Sequence, residues 1–294
     1  MEFDAFKAEY RLTVEEYLSS ALERCADTEV CRVAKYITLN GGHRWRALVA
    51  AAAGQIFHLN AREIVLPGAA GVELAHSASL ILDDLPSMDD GKNRRGRPCA
   101  HRVFPRWAVD MTPVFLLTLS YELSLSNPLT SADRRVASAI VLSQAGIEMI
   151  SGQVNDVSST NDALSVFSDA DEEYVMQCYR QKSGALYAAA AEGGAILCGA
   201  SETCAKKLKL AGMWLGLAYQ FLDDVADVIA DPSVVGKDTQ ADFNKLTAVS
   251  LFGVEGAKSR SLDFQNRALD ILHSFGSEAD HLRKLVMQAS WAPF

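Results

Sequence analysis

Apolar residues recur along most of this chain at three- and four-residue spacing, the period of helices with one face turned inward. The pattern predicts helices over residues 46–57, 61–82, 131–157, 171–197 and 201–229, with shorter helical pieces over 243–275 and 277–290. Near the start, Thr13 with Glu16 three residues on reads as a capping box that opens a further helix. Turn and breaker signals stand at Asn40-Gly41-Gly42, Pro67-Gly68, Asn127-Pro128, Asp231-Pro232 and Gly276. Alternating, strand-like runs are few. No linker, low-complexity tract or fixed-period repeat divides the chain, so the expectation is one all-α domain over residues 1–294.

Several of these helices are rich in small residues, residues 185–196 above all. Small side chains let helices approach closely around a cavity. They are also good helix formers in a tight bundle, and that plainer reading is preferred.

Two apolar runs end abruptly in carboxylates. Ser79-Leu80-Ile81-Leu82 leads into Asp83-Asp84-Leu85-Pro86-Ser87-Met88-Asp89-Asp90, and Tyr219-Gln220-Phe221-Leu222 leads into Asp223-Asp224-Val225-Ala226-Asp227. Like charges at helical neighbour spacing repel by roughly 0.2–0.5 kcal/mol per pair even in water. Beside a core the cost is far larger unless a cation neutralises them. Facing clusters of this kind suit a hard divalent cation such as Mg²⁺, which in turn suggests a phosphorylated substrate. Asp223 and Asp227 fall one turn apart on one helix face. Pro86 prevents an uninterrupted helix through the first cluster, so Asp83 and Asp84 should end a helix and Asp89 should lie beyond a short insertion.

The overall charge sharpens this. A formal net charge of −9 argues against a general nucleic-acid binder. Yet Lys92-Asn93-Arg94-Arg95-Gly96-Arg97 follows directly on the first aspartate cluster, and guanidinium groups bind phosphate oxygens in pairs. Asn40-Gly41-Gly42-His43-Arg44-Trp45-Arg46 places basic residues at the start of a helix, a further anion site. Lys182-Ser183-Gly184 and Gly236-Lys237-Asp238 each add one lysine beside a glycine. The six cysteines show no metal-binding or redox spacing and are expected to be reduced thiols. The acidic N-terminus is unlike a signal peptide, and no uninterrupted apolar run reaches ~18 residues. The expectation is a cytoplasmic protein without stable membrane insertion; a removed organelle-targeting peptide stays open.

In order, Gly-Gly-x-Arg-x-Arg, Asp-Asp-x4-Asp with Arg-Arg-Gly-Arg-Pro, Gly-Gln-x-x-Asp, Lys-Ser-Gly, Gln-x-x-Asp-Asp-x-x-Asp and Gly-Lys-Asp resemble the trans-isoprenyl diphosphate synthase family from about Gly41 to Thr247. The resemblance implies the isoprenoid synthase fold, a helical bundle around a deep central cavity, as a homodimer. It implies two to three Mg²⁺ held by Asp83, Asp84, Asp89, Asp223, Asp224 and Asp227, gripping an allylic diphosphate that Arg94, Lys182 and Lys237 also contact. Isopentenyl diphosphate would be positioned by His43, Arg46, His76 and Arg95, while Gln153, Ser183 and Gln220 would steady the cation or headgroup. Ala78 and Ser79, one turn before Asp83, would face the growing tail. Small Ala78 and the Pro86-Ser87 insertion point to a twenty-carbon (geranylgeranyl) product, with a fifteen-carbon (farnesyl) product as an alternative.

The chain also departs from the family. His43 stands where lysine is usual, Ala47 replaces a proline, and the C-terminal residues 289–294 lack a basic residue. Val109-Asp110-Met111-Thr112-Pro113-Val114 replaces an Ala-Gly-Asp-Ala-Leu-Leu helix, and Pro113 is expected to kink or restart it. His43 and Pro113 suit a second reading, a terpene synthase that ionises a prenyl diphosphate without elongation. Retention of Arg46, His76 and Arg95 opposes it. A non-catalytic regulatory subunit, the third reading, is opposed by two complete aspartate motifs.

Overall fold

The computed structural model describes residues 2–158, 169–229 and 245–289. Among them the helices are α1 (Phe3–Glu23), α2 (Glu29–Thr38), α3 (Trp45–Gln55), α4 (Ala61–Asp83), α5 (Arg106–Leu125), α6 (Ala132–Ser158), α7 (Asp169–Tyr179), α8 (Ala185–Leu197), α9 (Glu202–Ile229), α10 (Ala248–Leu272) and α11 (Asp280–Gln288). The described strands are two-residue pieces, β1 (Asn93–Arg94) and β2 (Arg97–Pro98), paired antiparallel. The fold is all-α, as the periodicity predicts.

Helix α4 is the axis of the bundle. It packs against α3, α5 and α8, and it is buried on nearly every side because Ala69, Ala70, Ala75 and Ala78 let its neighbours approach. Its length and apolarity would suffice to cross a membrane, but 83% of that apolar window is buried within the bundle. The alanine run of α8 is likewise wholly buried between α3, α6 and α9, which is the plainer packing role expected of small residues. A second apolar cluster joins α7, α9 and α10. Phe221 sits at its centre, edge-on to Phe264 at 5.1 Å and to Tyr179 at 5.7 Å. Such pairs contribute ~0.5–1.5 kcal/mol beyond their burial.

Several boundaries differ from the sequence reading. Thr13 is no cap: α1 begins at Phe3, and the Thr13 hydroxyl donates to the Glu9 carbonyl one turn back. The buried stripe of Phe6, Tyr10, Val14 and Leu18 carries the helix through it. Pro67 lies inside α4 rather than at a boundary. The carbonyl that loses its donor is that of exposed Glu63, and the buried turns beyond outweigh the ~3 kcal/mol an interior proline costs. Pro113 does not restart α5 either. Leu116, Leu119 and Leu123 continue one buried stripe past it, and Thr112 donates to the Ala108 carbonyl at 2.7 Å. The predicted helix over 171–197 is divided by a π-helical turn, Arg180–Gly184, between α7 and α8. In the predicted 243–275 segment, Thr247 caps α10 with a reciprocal Thr247–Ser250 box, and Gly253 at φ 67° interrupts it. Asp231-Pro232, Lys237 and the terminal residues 290–294 lie outside the described residues.

Candidate active site

A cavity of about 950 Å³ opens between α3, α4, α5, α6, α8 and α9, at the upper end of the volumes typical of small-molecule sites. Every site residue picked from the sequence lines it except Lys237, which lies outside the described residues. The two aspartate motifs, with Asp83 and Asp223 140 positions apart, reach it only through folding.

 

Packing of the bundle brings the end of α4 and the second half of α9 to the lining of the same cavity.

The first motif is built by a helix end and a tight loop. Asp83 closes α4, and the chain then turns through Pro86 so that the Asp89 amide donates to the Asp83 carbonyl at 3.0 Å. The two-residue insertion thus folds Asp89 back toward Asp83. Burial pushes the Asp83 carboxyl above the usual range, against the pull of Lys182 and Arg94. Asp84 is buried and accepts the Arg94 guanidinium through Nε at 2.8 Å and Nη2 at 2.6 Å. Arg94, expected on a diphosphate, is therefore ion-paired here with a motif aspartate.

The second motif lies wholly within α9, with Asp223 and Asp227 one turn apart. Asp224 between them is buried and accepts from the Ala248 amide at 2.9 Å, from Gln220 Nε2 at 3.0 Å and from the Tyr179 hydroxyl. Gln220 accepts in turn from the Ser183 hydroxyl. One chain of hydrogen bonds so ties the π-helical turn, α9 and the start of α10 together. Among the described residues, no three His, Cys, Asp or Glu side chains already converge as a metal cage.

Residues the sequence reading left unassigned complete the polar region. Asp156 on α6 accepts from Lys182 at 2.7 Å and from Lys245 at 3.0 Å, and Lys245 also donates to Asp89 at 2.8 Å. Burial raises the Asp156 carboxyl, but the two ammonium groups outweigh it and hold the group below its ordinary range. Its signal was in the sequence, as the last residue of Gly-Gln-x-x-Asp. Gly152 of that motif has a steric reason: a Cβ there would lie 2.3 Å from the Lys182 amide nitrogen, so only glycine lets α6 meet the π-helical turn. Lys245 had no signal beyond its place just before the Thr247 cap.

Opposite stands a basic wall. Arg95, at φ 52° in the turn of the β1–β2 hairpin, donates to the Gly41 carbonyl at 2.9 Å. Its guanidinium lies where a Cβ on Gly42 would be, 2.8 Å from Nη2. Burial and the neighbouring Arg44 lower Arg95 to about 10. His76 is held well below its ordinary value by burial and by Arg46 and Arg95, and His43 is lowered by burial, Arg11 and Arg95. Both shifts favour the neutral ring. Groups destabilised as cations by other cations mark a region short of negative charge. Arg46 stacks on Tyr187 at 4.5 Å, its Nε has no hydrogen-bond partner, and neither amide atom of Gln153 has one. Such buried groups are costly unless something binds them.

Away from the charges the lining turns apolar. Ala78 and Ser79 lie five and four residues before Asp83, ~6–8 Å along the axis, and Leu117, Tyr121, Gly146 and Ile147 extend that wall from α5 and α6.

A helical bundle whose large cavity joins two aspartate motifs, a basic wall and an apolar recess has the architecture of an isoprenoid synthase. Residues 27–287 match the Polyprenyl synthetase family, and the chain belongs to it. It is 33% identical over 263 residues to geranylgeranyl pyrophosphate synthase 12, chloroplastic, of Arabidopsis thaliana, covering 87% of this chain and 71% of that protein. To the farnesyl diphosphate synthase of Haemophilus influenzae it is 34% identical over 246 residues, 81% of this chain and 80% of that one. The solved structure of geranyltransferase from Helicobacter pylori complexed with magnesium and isoprenyl diphosphate superposes with a TM-score of 0.81 at 26% identity, covering 96% and 97% of the two chains. The chain is a prenyltransferase of the trans-isoprenyl diphosphate synthase type.

Proposed function

We propose that this prenyltransferase condenses isopentenyl diphosphate with an allylic diphosphate, head to tail, and releases geranylgeranyl diphosphate. The observation that carries the reading is the division of one cavity into an acidic-and-basic region and an apolar recess that begins at small Ala78. The oxygen-only donors of the aspartate motifs fit Mg²⁺, which commonly binds through one or two carboxylates and substrate phosphates rather than a protein cage. Asp83, Asp84, Asp89, Asp223, Asp224 and Asp227 would hold it; Asp84, Asp89 and Asp224 also accept from protein donors. The metal would stabilise charge on the departing diphosphate.

This chain's own groups supply the rest. Lys182 and Lys245, gathered by Asp156, present fixed cations to the allylic diphosphate. Arg46 and Arg95, with neutral His76 as a hydrogen-bonding partner, accept the diphosphate of isopentenyl diphosphate. Once the allylic C–O bond breaks, the double bond of isopentenyl diphosphate attacks the cation, and the released diphosphate takes the proton lost from the adduct. The unpartnered Gln153 amide lies on the wall where the cation would form. The apolar recess keeps water from that cation.

The test is a product assay with Mg²⁺, isopentenyl diphosphate and, in turn, dimethylallyl, geranyl or farnesyl diphosphate, read by chromatography after dephosphorylation. A C20 alcohol is expected. A C15 end point would retain the reaction and reject the assigned length, and primer consumed without elongation would reject the condensation.

A further inference from the structure

Glu73 lies on α4 one turn before His76 and is 2% exposed. It lines the cavity, where the other acidic residues described are Asp156 and the motif aspartates. Unlike them it belongs to the basic side, beside Arg44 and close enough to Arg95 to oppose the neighbouring arginines in favouring its charge. By charge alone a buried carboxylate is unfavourable next to a diphosphate, since like charges repel. Its use must therefore lie in what it holds.

Its two oxygens are divided between backbone and side chain. Oε1 accepts from the Ala47 amide at 3.1 Å, and Oε2 pairs with Arg44 Nη1 at 3.7 Å. Ala47 is the third residue of α3, and Arg44, at the cap position, makes no side-chain cap of its own. Glu73 thus satisfies from across the bundle an amide that a capping side chain would normally serve. The helix start read from the sequence as an anion site already holds a carboxylate. The backbone leading into it is left-handed at Gly41, Gly42 and Arg44, and Arg44 at φ 54° is a conformation that a non-glycine residue keeps only under constraint. The constraint is visible: Arg44 Nη2 donates to the Thr38 carbonyl at 2.6 Å, and Nε pairs with Glu15 of α1 at 3.6 Å. Glu15, Arg44 and Glu73 form a run of alternating charge from α1 to α4 that fixes the first turn of α3, where Arg46 stands.

We infer that Glu73 is a positioning residue for isopentenyl diphosphate: by holding the Ala47 amide and Arg44 it sets His43 and Arg46 against His76 and Arg95, without itself touching the diphosphate. The inference rests on the proposed function, whose diphosphate subsite it refines. Elongation kinetics with Mg²⁺ and geranyl diphosphate, each substrate varied in turn, decide it. Glu73→Ala raises the KM for isopentenyl diphosphate about tenfold, the scale of one lost hydrogen bond, and leaves kcat and the KM for geranyl diphosphate within about twofold. Glu73→Gln, whose amide oxygen still accepts from Ala47, restores the wild-type KM or lowers it, because a repelling charge is gone. If Glu73 acted through charge alone, both variants would lower the KM for isopentenyl diphosphate, and that result overturns the inference. So does a rise in both KM values together, or a lower melting temperature with kinetics unchanged, either of which marks a purely structural role. Should Glu73→Ala lose helicity, Glu73→Asp is read instead. It keeps the charge but withdraws it by one methylene, and an unchanged KM for isopentenyl diphosphate overturns the inference. Wild type that does not elongate counts against the proposed function. Calorimetric titration with isopentenyl diphosphate then ranks the same variants: weaker binding by Glu73→Ala but not by Glu73→Gln supports the positioning role, and any other order overturns it.

Discussion

The two aspartate motifs look alike in sequence and are used differently. The first ends a helix and folds back on itself, which leaves Asp83 facing the cavity with its ionisation opposed by burial. The second stays inside α9 and gives its middle carboxylate to three donors from α7, α9 and α10. A carboxylate that anchors three elements is worth stability. One that burial disfavours is held in place at a cost, as residues at reacting sites often are.

Removing Asp83 or Asp223 should give the largest effect. Asp83→Ala and Asp223→Ala are each expected to lower turnover by at least ~10³, in line with losing preorganised charge at a leaving group, with helical circular dichroism unchanged. Asp83→Asn should lose activity similarly without lowering the melting temperature. Retained activity in either alanine variant would refute the shared site.

Asp224→Asn should show the opposite balance. It weakens the Tyr179 and Ala248 bonds, and a loss of about 1–3 kcal/mol in denaturant stability is expected. Stability equal to wild type would mean that the hydrogen-bond chain does not anchor α10.

Asp156 tests the sign of the electrostatics. Its folded-state pKa lies below the unfolded value, so its contribution is complete above the ordinary carboxylate range and is lost as pH falls through the folded value. The stability gap between wild type and Asp156→Asn should therefore be about 1–3 kcal/mol at neutral pH and shrink on acidification. A gap that is constant from neutral to strongly acidic pH contradicts the ion pairing.

Smaller effects should come from the recess and the rim. Ala78→Phe is expected to shift the main product toward fifteen carbons at near-normal turnover, and unchanged chain length would remove Ala78 from the tail path. His43→Lys should lower the apparent KM for isopentenyl diphosphate about two- to fivefold at neutral pH. Lysine carries the charge that burial and Arg11 deny to His43. A higher KM would mean that the neutral ring is specifically fitted.

Much of this site could be read from the chain. Clustered like charges after apolar runs are too costly to be incidental, and Arg94 and Arg95 adjoin them. The pairing of Arg94 with Asp84 could not be read, because it depends on a hairpin turn whose strands are two residues long. Nor could the roles of Asp156 and Lys245, which meet across 89 positions of sequence. Prolines misled the reading in the same way. Pro67 and Pro113 are local breakers by propensity, but burial of the surrounding turns decides whether a helix continues.

By itself the sequence determined the helical class, the two acidic motifs and the basic segments beside them, because periodicity, charge repulsion and residue chemistry act locally. Only the tertiary structure decided which donors the carboxylates meet, which lysines join them, and where the apolar recess lies. Those outcomes depend on packing between elements far apart in the chain. There burial sets both the protonation of a group and the partners it can reach.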